Sequence, residues 1–179
     1  MKYLATIIFL FYFTSNSQII FQHEMRVSEK LNCVSNEINI YNKEDNIMLS
    51  GTLLWPEKSY KKIVIIVPGS GKDTRHAHHK ITETLLLNNI AVYRFDERGV
   101  GKSQGVFTNS INSLKTDLAS CIQYFKRRYR DKSIGVLGHS LGGVAAILNS
   151  NLEPRKNISF DFLIQMAVPL NYSETCRYQ

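Results

Sequence analysis

Residues Ser133 to Ser150, SIGVLGHSLGGVAAILNS, decide the fold of this chain. A short apolar run, Ile134 to Leu137, meets Gly138-His139-Ser140-Leu141-Gly142, and Gly143 and a helix-forming run from Val144 to Leu148 follow. The pattern is G-x-S-x-G with a strand before it, a tight turn in the middle and a helix after it. A serine hydroxyl is a weak nucleophile, so it must be exposed, oriented and placed beside a base. A sharp strand-to-helix corner at Ser140 supplies exposure and orientation. Gly138 and Gly142 would spare the crowded corner two side chains. The Leu141 amide, opening the helix, would face a developing oxyanion. The alternative is a glycine-rich turn whose serine only caps the helix.

Working outward, Ile63 to Val67 (IVIIV) is a continuous β-branched run, the mark of a strand buried on both faces of a parallel sheet. It ends in Pro68-Gly69-Ser70-Gly71. A helix is expected around Ile81 to Asn88, then a strand at Ile90 to Phe95, closed by Asp96-Glu97-Arg98-Gly99-Val100-Gly101-Lys102-Ser103. Leu114, Leu118, Cys121, Ile122 and Phe125 recur at helical spacing between Asn112 and Arg128. Upstream, Glu37 to Tyr41 and Ile47 to Trp55 read as an antiparallel hairpin around the turn NKEDN. Phe160 to Val168 is the sixth strand. The order gives an α/β fold, a mostly parallel sheet with helices on both faces and functional loops at the carboxyl ends of its strands.

Three such loops should converge: 68–79, 96–103 and the serine corner. If the Ile63–Val67 strand neighbours the Ile134–Leu137 strand, the Ser70 amide lies opposite the Leu141 amide, and the two form an oxyanion hole. Asp96, Arg98, Gly99 and Gly101 read as structural, Asp96 capping its turn and Arg98 tying loops together. Gly71-Lys72 and Gly101-Lys102-Ser103 imitate phosphate loops. Ile66 and Asp96 stand where the first glycine of that motif is required, which argues against nucleotide binding.

At the ends of the chain, Met1-Lys2-Tyr3, the apolar run Leu4 to Phe13 and the small polar Thr14 to Ser17 read as a signal peptide over residues 1–17, cut near Gln18. The run is shorter than the roughly 20 residues a spanning helix needs, so no stable membrane anchor is expected. Residues 18–35 form a lead-in segment, 36–170 the domain and 171–179 a polar tail; the chain is expected to be secreted or periplasmic. The formal net charge is +7, and its one dense run, Lys126 to Lys132, ends a helix whose dipole it complements. A solvated face is therefore expected, and no nucleic-acid partner. Three cysteines, Cys33, Cys121 and Cys176, are too few for a disulfide framework, with Cys121 expected in the core. No spacing suggests a metal, and no cofactor is expected.

VPGSG, RFDERGVGKS and GHSLGG, each after its strand, resemble the α/β-hydrolase superfamily, in its secreted serine aminopeptidase-like or acyl-peptidase/esterase-like branch. The likeness runs from about Glu37 to Val168. It implies Ser140 as nucleophile, Ser70 and Leu141 as oxyanion amides, and Asp96, Arg98, Gly99 and Gly101 as a turn motif of the branch. It also implies a triad completed by an acid and then a histidine on later loops. No histidine follows His139, which occupies the variable position of the motif and is expected to point away from the serine's site. His76, His78 and His79 are expected in a flexible loop, and Glu174 is a weak stand-in for the acid. Two strands that would cover the sixth are missing, which suggests a truncated or frameshifted product or a fragment. The resemblance implies a serine hydrolase acting on esters, thioesters or amides of small-molecule or peptide-like substrates, impaired in this chain. The alternatives are a non-catalytic remnant or binding module, or a site completed by a partner chain. Oligomeric state is not legible.

Overall fold

The computed structural model describes residues 25–27, 31–150 and 158–169 of the 179-residue chain. The expected signal peptide, most of the expected lead-in segment, the tail with Glu174, and Cys176 lie outside the described residues. The elements run β1 (Cys33–Asn42), β2 (Ile47–Pro56), β3 (Lys62–Val67), α1 (His79–Leu87), β4 (Ile90–Phe95), α2 (Ile111–Arg128), β5 (Ser133–His139), α3 (Leu141–Ser150) and β6 (Phe162–Met166). They build one six-stranded sheet in the order β1-β2-β4-β3-β5-β6. The β1–β2 hairpin joins antiparallel through β2 to β4, and the β4–β3, β3–β5 and β5–β6 pairs are parallel.

The alternation of β3 explains the layering. Ile63, Ile65 and Val67 face Leu118, Cys121, Ile122 and Phe125 of α2 and Ala146 of α3. Val64 and Ile66 face the other way, toward Leu86 of α1 with Ile81 and Leu85 beside it. Successive side chains of a strand leave on opposite faces, so a run of uniformly apolar residues needs a helix on each side. Cys121 is fully buried in the first of these layers, and burial pushes its thiol well above the usual range.

The strand boundaries differ from the sequence reading at both ends. β1 starts at Cys33, inside what composition marks as a lead-in, because all ten of its residues pair with β2 from Cys33↔Pro56 to Asn42↔Ile47. β6 is shorter than the apolar run Phe160 to Val168. Asp161 uses its amide on the Ile134 carbonyl and its carboxylate on the Ile134 amide, fixing the entry before the strand begins. Ala167, at φ 52, turns the chain out of the sheet just after Met166. Among the described residues β6 pairs with β5 alone, and Ile164 is exposed.

Candidate active site

The β5–α3 corner is built by close backbone approach. Ser140 sits at φ 49, in the left-handed region that L residues other than glycine adopt at a cost of roughly 1–2 kcal/mol. Its amide donates to the Met166 carbonyl of β6 at 2.9 Å, and its carbonyl accepts from the Gly143 amide at 3.0 Å. The strained residue is thus pinned on both sides while its side chain stays partly exposed. A Cβ on Gly142 would collide with the carbonyl oxygens of Val67 and Pro68. A Cβ on Gly138 would lie 2.5 Å from the Gly143 Cα. Both positions lie where α3 closes onto the ends of β5 and β3, and neither has room for a side chain.

The same packing brings the loop after β3 to the serine. β3 and β5 are neighbours in register, Val67 opposite Gly138, so Gly69 passes directly over the corner. A Cβ on Gly69 would sit 3.1 Å from the Ser140 Cβ. Ser70 follows it and is exposed, and Leu141 follows Ser140 at the start of α3. Among the described residues neither the Ser70 amide nor the Leu141 amide has an acceptor, and the Ser140 hydroxyl has no hydrogen-bond partner. Ser70, Ser140 and Leu141 all follow strand ends at the carboxyl edge of the sheet.

Asp96 and Arg98 lie behind this edge. Asp96 is fully buried; its carboxylate accepts from the Arg75 backbone amide at 2.7 Å, from the Arg75 guanidinium at 2.9 Å and from the Lys102 amide at 2.9 Å. Gly101, at φ 54, leaves the space that the carboxylate fills, and Gly99 turns at φ 68 against the backbone of Phe107. Arg98 reaches Asp117 of α2 at 2.8 Å and Asp45 of the hairpin turn at 2.7 Å. Asn42 and Thr116 join the same cluster. Burial pushes the Asp117 carboxyl up, against the pull of the hydrogen bonds from Arg98 and Asn42. Hydrogen bonds from Thr116 and Arg98 hold Asp45 below the usual carboxylate range. The 96–101 motif therefore fastens the hairpin, the loop after β3 and α2 to one another.

The histidines depart from the sequence reading. Residues 75–78 form a turn, with the Ala77 amide donating to the Thr74 carbonyl at 3.0 Å, and His79 opens α1. His76, His78 and His79 thus belong to a hydrogen-bonded turn and a helix start, where composition alone suggests a loose loop. His139 packs against the loop after β3 and the start of α1. Its ring meets that of His78 edge-on, centroids 4.9 Å apart, and its Nδ1 is 3.1 Å from where a Cβ on Gly69 would lie. His139, His78 and His79 line one cleft of about 430 Å³ together with Ser70 and Gly71. No group of three or more His, Cys, Asp or Glu side chains among the described residues is placed to hold a metal ion. Arg75 went unnoticed in the sequence, since its partner Asp96 is distant along the chain and no local pattern links them.

Residues 58–172, more than half of the chain, match the family model described as serine aminopeptidase, S33. The chain belongs to that hydrolase family. Among solved structures, this S33-family chain resembles an esterase of Pyrococcus furiosus at 28% identity and TM-score 0.61, over 76% of this chain and 53% of that one. An α/β serine hydrolase homologue from Coxiella burnetii shares the fold at 20% identity and TM-score 0.62, over 79% of this chain and 66% of the other. A curated thiohydrolase, apmlB of Arthrinium phaeospermum, is 26% identical over 115 residues, 62% of this chain and 37% of that protein. The lysophosphatidylserine lipase ABHD12 of Danio rerio is 33% identical over 106 residues, 56% of this chain and 27% of the lipase. The chain spans well under half the length of these two curated relatives and about half that of the esterase.

Proposed function

We propose that this S33-family chain carries the nucleophile half of a serine hydrolase that cleaves ester, thioester or amide bonds of small molecules through an acyl-enzyme on Ser140. The supporting observation is the corner itself: a serine held at φ 49 with an unengaged hydroxyl, beside the unengaged amides of Ser70 and Leu141. Strain of this kind persists only where the surroundings over-determine it, and it gathers at functional sites. In the proposed reaction the Ser140 oxygen bonds to the acyl carbon and its proton passes to a base. The carbonyl electrons move onto oxygen, where the two amides stabilise them. Expulsion of the protonated alcohol, thiol or amine leaves the acyl-serine, which water then hydrolyses to the acid. The kinship with an esterase, a thiohydrolase and a lipase by name favours acyl substrates.

A second reading has its own observation. Among the described residues no imidazole is hydrogen-bonded to the Ser140 hydroxyl. A serine without a base retains only the catalysis that binding and the oxyanion donors provide. On this reading the chain is a binding module, or reacts only when another polypeptide supplies the proton acceptor. Fluorophosphonate labelling of the purified chain, with Ser140→Ala as control, separates the two. Labelling of the parent and not of the variant supports the nucleophile; an unlabelled parent supports the module. Export through residues 1–17 is part of the same proposal, and amino-terminal sequencing of the expressed protein should begin at Gln18.

A further inference from the structure

The donor at Ser70 is useful only if the loop that carries it is held still, and packing does not hold it at the next residue. Gly71 has φ 124, and a Cβ placed there would meet nothing within 4 Å. Hydrogen bonds to one neighbouring segment restrain this stretch. The amides of Gly71, Asp73 and Arg75 donate in turn to the Asn109 side-chain oxygen at 3.2 Å, to a Glu97 carboxylate oxygen at 3.0 Å and to an Asp96 carboxylate oxygen at 2.7 Å. All three acceptors belong to the connection between β4 and α2. Alternate amides of the loop after β3 are therefore spent on that connection. The Ser70 amide, one residue before Gly71, is not spent on this connection.

Of the three acceptors, Asn109 takes the amide nearest in the chain to Ser70. It is itself anchored: it precedes Ser110, the N-cap of α2, whose side chain accepts from the Ser113 amide and whose own amide donates to the Thr108 hydroxyl at 3.1 Å. Lys72, which follows Gly71, extends its ammonium over the Phe107 ring, 5.7 Å from the centroid, so the two segments also touch at the residue after the bond.

We propose that Asn109 is a positioning residue for the oxyanion hole: by accepting from the Gly71 amide it ties the start of α2 to the loop after β3 and fixes the direction of the Ser70 amide. The proposal rests on Ser140 being the nucleophile. It requires only an acceptor at position 109, so the carboxamide nitrogen is dispensable.

The test compares Asn109→Ala and Asn109→Asp with the parent chain, reading the fluorophosphonate labelling rate of Ser140, the hydrogen exchange of the Gly71 and Ser70 amides by NMR, and the thermal midpoint. Removing the acceptor should slow labelling about fivefold and speed Gly71 exchange by a similar factor, the scale of one modest hydrogen bond. Asn109→Asp, which keeps an acceptor, should restore both. Position 109 is exposed, so the thermal midpoint should stay put. Unchanged labelling and unchanged Gly71 exchange in Asn109→Ala would overturn the proposal and leave Ser140 standing. So would failure of Asn109→Asp to restore either. A parent chain that does not label, with Gly71 exchange still set by residue 109, would instead overturn the nucleophile reading and with it the catalytic role of the anchor.

Discussion

Ser140→Gly should make this protein more stable than Ser140→Ala, and the difference measures the strain at the corner. Ser140 holds φ 49, where an L residue loses roughly 1–2 kcal/mol through its Cβ against the following carbonyl. Alanine keeps the Cβ and therefore the strain, and it deletes only a hydroxyl that has no partner among the described residues. Glycine removes the strain but has more freedom to lose on folding, which costs about 0.5–1 kcal/mol. On the central values the glycine variant should then exceed the alanine variant by about 0.75 kcal/mol. For a chain of this size that corresponds to a rise in the thermal midpoint of about 1–4 °C. Urea titration followed by circular dichroism measures the free energies, and calorimetry the midpoints. A glycine variant no more stable than alanine would refute the claim that the corner is strained, and with it the argument that position 140 is held for function.

Gly101→Ala would place a Cβ 2.5 Å from the Asp96 carboxyl at φ 54, and should destabilise by about 3 kcal/mol in chemical denaturation by adding backbone strain and displacing a buried ion pair. Arg98→Met strands Asp117, whose side chain is 1% exposed, and should cost about 3 kcal/mol or more; adding Asp117→Asn should recover part of that loss in a double-mutant cycle. Asp45 has its pKa lowered in the folded state from 3.8, so its contribution is present above that value and is lost as pH falls through the lower folded value. Asp45→Asn should therefore flatten the decline of stability below about pH 4, read from urea midpoints across an acid series.

The residues that form the sheet and the corner announce themselves locally. Ile63 to Val67 is apolar without alternation, which only a strand covered on both faces explains, and the structure covers it with α1 and α2. The helical spacing of Leu114, Leu118, Cys121, Ile122 and Phe125 places α2 to within a residue of its observed start. The G-x-S-x-G run needs both a strand and a helix within a few residues, so it fixes β5, α3 and the turn between them at once. Short-range periodicity and glycine placement were enough for all of this, because the physics that sets them acts between neighbours in the chain.

Tertiary structure decided what depends on which strands become neighbours. Nothing local places β4 between β2 and β3, yet that order sets the Arg75–Asp96 pair. The β3–β5 pairing, conditional in the sequence, is what lays Gly69 over Ser140. The same packing draws His78 against His139 and ties Gly71 to Asn109, 38 positions away. Hydrogen bonds and ion pairs of this kind are directional over about 3 Å, whereas sequence pattern records only which face a residue presents. The fold could be read from the chain; the partners of its polar side chains had to be seen in space.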